Sequence, residues 1–235
     1  MADQNYIDNV AEKIASQVEQ LQTEMVRDLL KLSKDRRFKN IDEFLFAMEQ
    51  INIEQLVTIK AQNILNGYTA AHTQILGDMT LFGEITEDTL RAVTNFSTSS
   101  FADTLGRMSG VIKTEIIKGA IGEATERGVL QAIQQQAGLS NTQMRTLVTT
   151  GLNDYSASVG KIMIDTSPVA TKFRYVGAQD DRTRPVCRRL YEAGEMTRDE
   201  IKSEFGSDVF VNRGGYNCRH QWFPVEASEK SKDVR

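Results

Sequence analysis

Two cysteines and one histidine late in the chain are the side chains best suited to chemistry. Cys187 stands apart, whereas Cys218 and His220 are two residues from each other and would face the same side of a strand. Thiolates and imidazoles are ligands for Zn²⁺, but a structural zinc site uses four of them. Packing of two small buried side chains is the favoured interpretation. Zinc binding stays open, and a disulfide is disfavoured because nothing in the sequence indicates an oxidising compartment.

Acidic and polar residues before Cys187 offer further interpretations. Asp180 or Asp181 could supply a fourth zinc ligand or form a carboxylate pair for nuclease chemistry, although no partnering metal-ligand set is evident. Asp181 could instead pair with Arg219 and hold two segments together. Thr183 is predicted to cap a helix that has Pro185 in its first turn.

A cluster of arginines could form a face that contacts phosphates. Contacts of this kind would bind DNA without sequence specificity. Nearby acids weaken the prediction, and the whole chain has a formal charge of -4. The arginines concerned are Arg182, Arg184, Arg188, Arg189, Arg213 and Arg219.

An enzyme is the alternative hypothesis, either nucleic-acid-processing or hydrolytic. Its nucleophile and base would be Cys187 or Cys218 with His220, since the other histidine, His72, lies on a predicted helix. Cysteine hydrolases usually place their histidine far from the cysteine in sequence, and local signatures of such enzymes are missing here. The residues therefore favour a protein without a catalytic site and without a required cofactor.

Length and composition indicate an ordinary folded protein. The chain has 235 residues, of which 40% are hydrophobic and 26% charged, so a packed core is expected. No apolar run approaches the roughly 18 residues of a membrane span, and the N-terminal residues do not resemble a signal peptide. We therefore expect a protein made in a cytoplasm, with no membrane contact evident.

The first 167 residues predict a long helical body, because all three prolines come later in the chain. Apolar residues between Ile7 and Leu32 recur with an eleven-residue period, close to the period of a straight helix. A helix of a bundle is the favoured interpretation, and a helix dedicated to binding another protein is the alternative.

Local signals divide the rest of this body. The charged stretch at 34–39 predicts a loop, with helices starting near Asn40 or Ile41 and near Ile53. Thr86 is a predicted N-cap, and residues 140–143 form a predicted capping box. A small α+β module is expected after Pro168, where polar and apolar residues begin to alternate.

The module is predicted to contain three strands, at 171–177, 208–211 and 221–225, with a short helix within 195–205 capped by Thr197. The predicted fold class is therefore mainly α, with a small α+β C-terminal module. The predicted domains are a helical body at 1–167, the module at 168–226 and a charged tail at 227–235.

Two motifs in the module resemble the C-terminal region of the phage Mu protein F-like minor head proteins. The first runs from Tyr175 through Asp180-Asp181-Arg182-Thr183 to Cys187, and the second is Asn217-Cys218-Arg219-His220 followed by Trp222-Phe223-Pro224. The resemblance covers about residues 140–226. The family usually shows His-Pro-Asn-Cys-Arg-Cys, whereas this chain has Gly215, Tyr216 and His220 at three of those positions.

The resemblance implies a structural protein of the virion rather than an enzyme. It implies a minor capsid protein, in several copies at the portal vertex or inside the head, that aids head morphogenesis and DNA packaging or ejection. Expected partners are the portal protein, other capsid proteins and packaged DNA. Asp180, Asp181, Thr183, Cys187, Asn217, Cys218, Arg219 and His220 are then expected to form a structural motif.

Overall fold

The computed structural model describes residues 4–33, 40–78, 85–122, 125–137, 139–215 and 218–225. The predicted loop at 34–39, Asn217 and the predicted charged tail lie outside them. The described part is mainly helical with one small antiparallel sheet, which confirms the predicted fold class. Its elements are α1 (Gln4–Ser33), α2 (Ile41–Gln50), α3 (Ile53–Asp78), α4 (Glu87–Ile121), α5 (Glu126–Ala137), α6 (Asn141–Thr166), β1 (Lys172–Val176), α7 (Pro185–Glu192), β2 (Glu195–Thr197), α8 (Arg198–Phe205), α9 (Val209–Asn212) and β3 (Gln221–Pro224).

The chain forms two compact units. The helical unit comprises Asp3–Gln74 and Thr94–Leu152, and the C-terminal unit comprises Ile75–Val93 and the residues from Asn153 onward. The C-terminal unit is therefore larger than the segment that the sequence marks off at 168. No helix in the described part of the chain is long and apolar enough to cross a membrane.

The core of the helical unit includes the apolar stripe of α1. Ile7, Ile14, Val18, Leu21, Met25 and Leu29 are all buried, as the eleven-residue period predicts for a bundle helix. One polar residue, Gln22, is buried among them and donates from its amide to the carbonyl of Leu139 at 3.2 Å. Because these residues are buried within the helical unit, little of the stripe on α1 remains exposed for contact with another protein.

Three predicted helix starts are confirmed. The Asn40 side chain accepts a hydrogen bond from the Glu43 amide at the start of α2, and Thr86 accepts one from the Thr89 amide at the start of α4. Before α6, Ser140 and Gln143 bond reciprocally between side chain and backbone, as a capping box does.

The sheet of the C-terminal unit has the strand order β2-β1-β3, with β1 antiparallel to both neighbours. Phe173 and Tyr175 on β1 are buried, whereas Lys172 and Arg174, which alternate with them, are exposed. This alternation is the one that the sequence predicts for a strand with one face on a core. Tyr175 pairs with Trp222 on β3.

Two details of this unit differ from the sequence predictions. Residues 208–211 are not a strand, because Val209–Asn212 form the helical turn α9, in which the Asn212 amide donates to the Asp208 carbonyl at 2.8 Å. Val209 and Phe210 are adjacent and both buried, which a helical turn allows and a one-sided strand does not. Thr197 caps α8 as predicted, but the short strand β2 at Glu195–Thr197, just before this helix, was not predicted.

Candidate functional site

The three predicted ligand residues meet in the core of the C-terminal unit. Cys187 lies in α7, while Cys218 and His220 lie on the segment before β3. The two Sγ atoms are 3.6 Å apart, and the Cys218 Sγ is 3.7 Å from the His220 Nδ1. All three residues are buried. Cys218 and His220 face the same site although they precede β3, which begins at Gln221 as predicted.

Tyr175 provides a hydroxyl group at this site. Its Oη is 3.1 Å from the Cys218 Sγ, and its ring stacks on the His220 imidazole with 5.3 Å between centroids. Burial, together with the charge of the neighbouring Cys218, raises the pKa of Tyr175 well above its ordinary value. The hydroxyl therefore keeps its proton and can donate it to the sulfur in a hydrogen bond.

The two thiols differ in their electrostatic surroundings. Burial and the charge of Cys218 raise the pKa of Cys187. Burial also acts to raise the pKa of Cys218, but hydrogen bonds from Tyr175 and from the backbone amides of His220 and Gly214 outweigh it and lower that pKa. Cys218 is therefore the sulfur that more readily becomes a thiolate.

His220 is held as a neutral imidazole. Burial lowers its pKa, and the charges of Arg219 and Arg213 act in the same direction, against a hydrogen bond to the Ala178 carbonyl. A neutral ring has a free lone pair, so it can serve as a metal ligand or as a base.

Two glycines allow the close packing around these side chains. A Cβ atom at Gly214 would overlap the Cys187 Sγ and lie 2.9 Å from the Cys218 Sγ. A Cβ atom at Gly177 would overlap the His220 ring. Neither glycine was predicted to have a role, although the Gly214-Gly215 pair shortly before Cys218 was a visible signal of close approach.

Arg213 is part of this core and not of a DNA-binding face. It is buried and donates to the carbonyl of His220 at 3.2 Å and to that of Asn153 at 3.0 Å. Its φ of 48° lies in the left-handed region, which non-glycine residues rarely adopt. The prediction that Arg213 contacts phosphates is therefore wrong, because its guanidinium group is enclosed by the unit.

The acidic turn before α7 is tied to the second motif by an ion pair. Arg219 bonds both carboxylate oxygens of Asp180, at 2.6 and 2.8 Å. Arg219 and the surrounding donors hold the pKa of Asp180 far below its usual range. The predicted pairing of Asp181 with Arg219 is wrong by one residue, and Asp181 is exposed.

Thr183 closes the turn itself rather than capping α7. Its hydroxyl donates to the Ala178 carbonyl at 2.9 Å and accepts from the Asp180 amide at 2.8 Å. Arg184 is the N-cap residue of α7 and makes no side-chain capping bond, whereas Pro185 is in the first turn as predicted. The predicted cap by Thr183 is wrong because its hydroxyl is used within the turn.

The remaining arginines have different surroundings. Arg184 donates to the Gly214 carbonyl at 2.8 Å, and the Arg189 guanidinium lies over the Phe205 ring at 5.8 Å. Arg182 and Arg188 are exposed. The six arginines therefore do not act as one group. Arg184 and Arg189 are exposed too but make these contacts, so Arg182 and Arg188 are best placed to meet a phosphate.

The site can hold a metal ion or pack as a closed core, but its acids do not complete a catalytic set. In the described part of the chain, the group able to hold a metal consists of Cys187, Cys218 and His220, without Asp180 or Asp181. His72 belongs to the helical unit, where its Nε2 is 2.9 Å from the Ser97 Oγ.

Comparisons with known proteins identified no similar protein. No protein-family model matches the chain, and no curated protein or solved structure is similar enough to count as a match.

Proposed function

We propose that the chain is a minor head protein of a tailed bacteriophage, acting as a structural component at the portal vertex. The resemblance of its two C-terminal motifs to the phage Mu protein F-like proteins supports this proposal. In this role the protein aids head assembly and the packaging or ejection of DNA. It is made in the cytoplasm of the bacterial host and resides in the virion, in several copies.

The observation that carries the proposal is the bonding between the two motifs. Asp180 pairs with Arg219, and the sulfurs of Cys187 and Cys218 are 3.6 Å apart. Arg184, the N-cap residue of the helix that contains Cys187, donates to the carbonyl of Gly214. Contacts of this kind hold two distant segments of the chain together. They therefore support the view that the two motifs belong to one structural module.

Burial supports a structural role over hydrolysis. Cys187, Cys218 and His220 are at most 4% exposed, whereas a nucleophile and its base must reach a substrate. Of the two carboxylates considered for nuclease chemistry, Asp180 is held by Arg219, whereas Asp181 is exposed. Among the described residues of the two motifs, the cysteines and the histidine of the enzyme alternative are therefore inaccessible to a substrate.

Packaged DNA is a secondary partner in this proposal. Arg182 and Arg188 are exposed and could contact phosphates without reading the base sequence. Since the other arginines of the predicted cluster have partners within the C-terminal unit, DNA contact would be weak and would decrease as salt is raised.

The proposal is tested by co-expressing the full-length chain with the portal protein encoded by the same phage genome. The two proteins should co-purify through an affinity tag on either one and then co-elute in gel filtration. An unrelated tagged helical protein serves as the control bait. If neither tag recovers the partner above this control, portal binding is ruled out for the chain.

A further inference from the structure

We propose that Cys187, Cys218 and His220 bind a zinc ion that joins α7 to the segment before β3. The site lies within the C-terminal unit and does not depend on the function proposed above. The ligand atoms of the three side chains lie within 4.8 Å of one another, and all three residues are buried. Two cysteines and a histidine are ligands that zinc accepts.

Two of the three distances between ligand atoms fit a tetrahedral ion. Zinc binds sulfur at about 2.3 Å and nitrogen at about 2.0–2.1 Å, so two sulfur ligands lie about 3.8 Å apart and a sulfur–nitrogen pair about 3.6 Å apart. The two Sγ atoms are 3.6 Å apart, and the Cys218 Sγ is 3.7 Å from the His220 Nδ1. A disulfide needs a sulfur separation of about 2.0 Å and gives the histidine no role.

The surroundings orient the ligands as they do in metal sites. The Tyr175 hydroxyl is at hydrogen-bond distance from the Cys218 Sγ, and the Gly214 backbone lies against both sulfurs. The His220 imidazole also bonds the Ala178 carbonyl. A backbone carbonyl that accepts from the ring is the kind of partner that orients a metal-bound histidine.

The fourth ligand is not the carboxylate that the sequence suggested. Both carboxylate oxygens of Asp180 accept hydrogen bonds from Arg219, and Asp181 is exposed. Three protein ligands leave one position of a tetrahedral ion for a water molecule. Packing of small apolar groups, the other interpretation, does not explain why a histidine nitrogen is buried facing two sulfurs.

The test uses the full-length protein, purified with a reductant and without chelators. Elemental analysis should find about one zinc ion per chain, as expected for one site. After chelation, Co²⁺ added to the reduced protein should give the near-ultraviolet sulfur-to-cobalt band and the visible bands of a tetrahedral thiolate site. These two measurements need no variant.

The two histidines of the chain give a matched pair of variants, since both are buried. His220→Gln should weaken Co²⁺ binding by more than about tenfold, whereas His72→Gln should leave it unchanged. Reduced wild-type protein that contains no zinc and gives no Co²⁺ thiolate band would overturn the proposal. Equal metal binding by the two variants, or a Cys187–Cys218 disulfide in protein alkylated directly in cell lysate, would overturn it as well.

Discussion

At the scale of single residues, the absence of a side chain at position 214 shapes the buried site. The Gly214 backbone lies against both sulfurs, at a distance that leaves no room for a methyl group. A change at this residue therefore tests the packing of the site without altering any of its polar groups.

Gly214→Ala should destabilise the protein by about 1–3 kcal/mol, the usual cost of adding a methyl group to a packed core. Urea unfolding of wild type and variant measures the difference. Gly160→Ala is the control, because its Cβ would meet no atom within 4 Å and alanine within a helix is favourable by about 0.5–1 kcal/mol. A Gly214→Ala protein as stable as wild type would contradict the described packing.

His72 is a second residue whose burial has a measurable consequence. Burial lowers its pKa from 6.5 to about 4, against a hydrogen bond to the Tyr68 carbonyl. Between these values the unfolded chain takes up a proton that the folded protein does not. The contribution of the neutral His72 to the free energy of unfolding is therefore fully present above pH 6.5 and is lost as the pH falls toward 4.

The contribution of His72 should approach about 1.4 kcal/mol per pH unit within this window. Urea unfolding of wild type and His72→Gln between pH 7 and pH 4 measures it. The variant should lose less stability than wild type over this range. Parallel pH profiles for the two proteins would show that His72 is not held neutral.

At the scale of elements, the turn before α7 and the segment before β3 are joined by the pair between Asp180 and Arg219. Asp180 and Asp181 are neighbours of the same chemistry, and only Asp180 bonds the arginine in the structure. They therefore form a matched pair for substitution.

Asp180→Asn should lower the melting temperature more than Asp181→Asn, because only the first variant removes the carboxylate that Arg219 bonds. The difference should shrink in high salt, since the pair is partly exposed and salt screens it. Thermal melts of the two variants at two salt concentrations measure both effects. A larger loss in Asp181→Asn would mean that the sequence-based pairing was right.

The same elements show what the sequence could predict. The period of α1, the caps at Asn40 and Thr86 and the alternation of β1 are local patterns, so they could be recognised without the fold. The turn α9 could not, because Val209 and Phe210 have strand propensity and become helical only where both are buried.

The candidate site was predictable in its residue types but not in its partners. Cys187, Cys218 and His220 could be singled out by their chemistry, and they do meet. The choice of Asp180 over Asp181, the turn role of Thr183 and the burial of Arg213 depend on how distant segments pack. A single sequence does not encode such contacts in any local pattern.

At the scale of the whole molecule, most of the described chain is helix, and the residues with distinctive chemistry are concentrated in the C-terminal unit. Burial of most of the apolar stripe of α1 leaves little of it exposed for contact with another protein. Portal binding would therefore use other surfaces, and the portal co-purification tests binding without assuming which ones.

Quantitative mass spectrometry of purified virions of the encoding phage, with the portal protein as the copy-number reference, measures whether the chain is a structural component of the phage head. We expect several copies per virion, which stay with DNA-filled heads through density-gradient purification. Absence of the chain from infectious virions and from assembled proheads, despite expression in the infected cell, would rule out the proposed function.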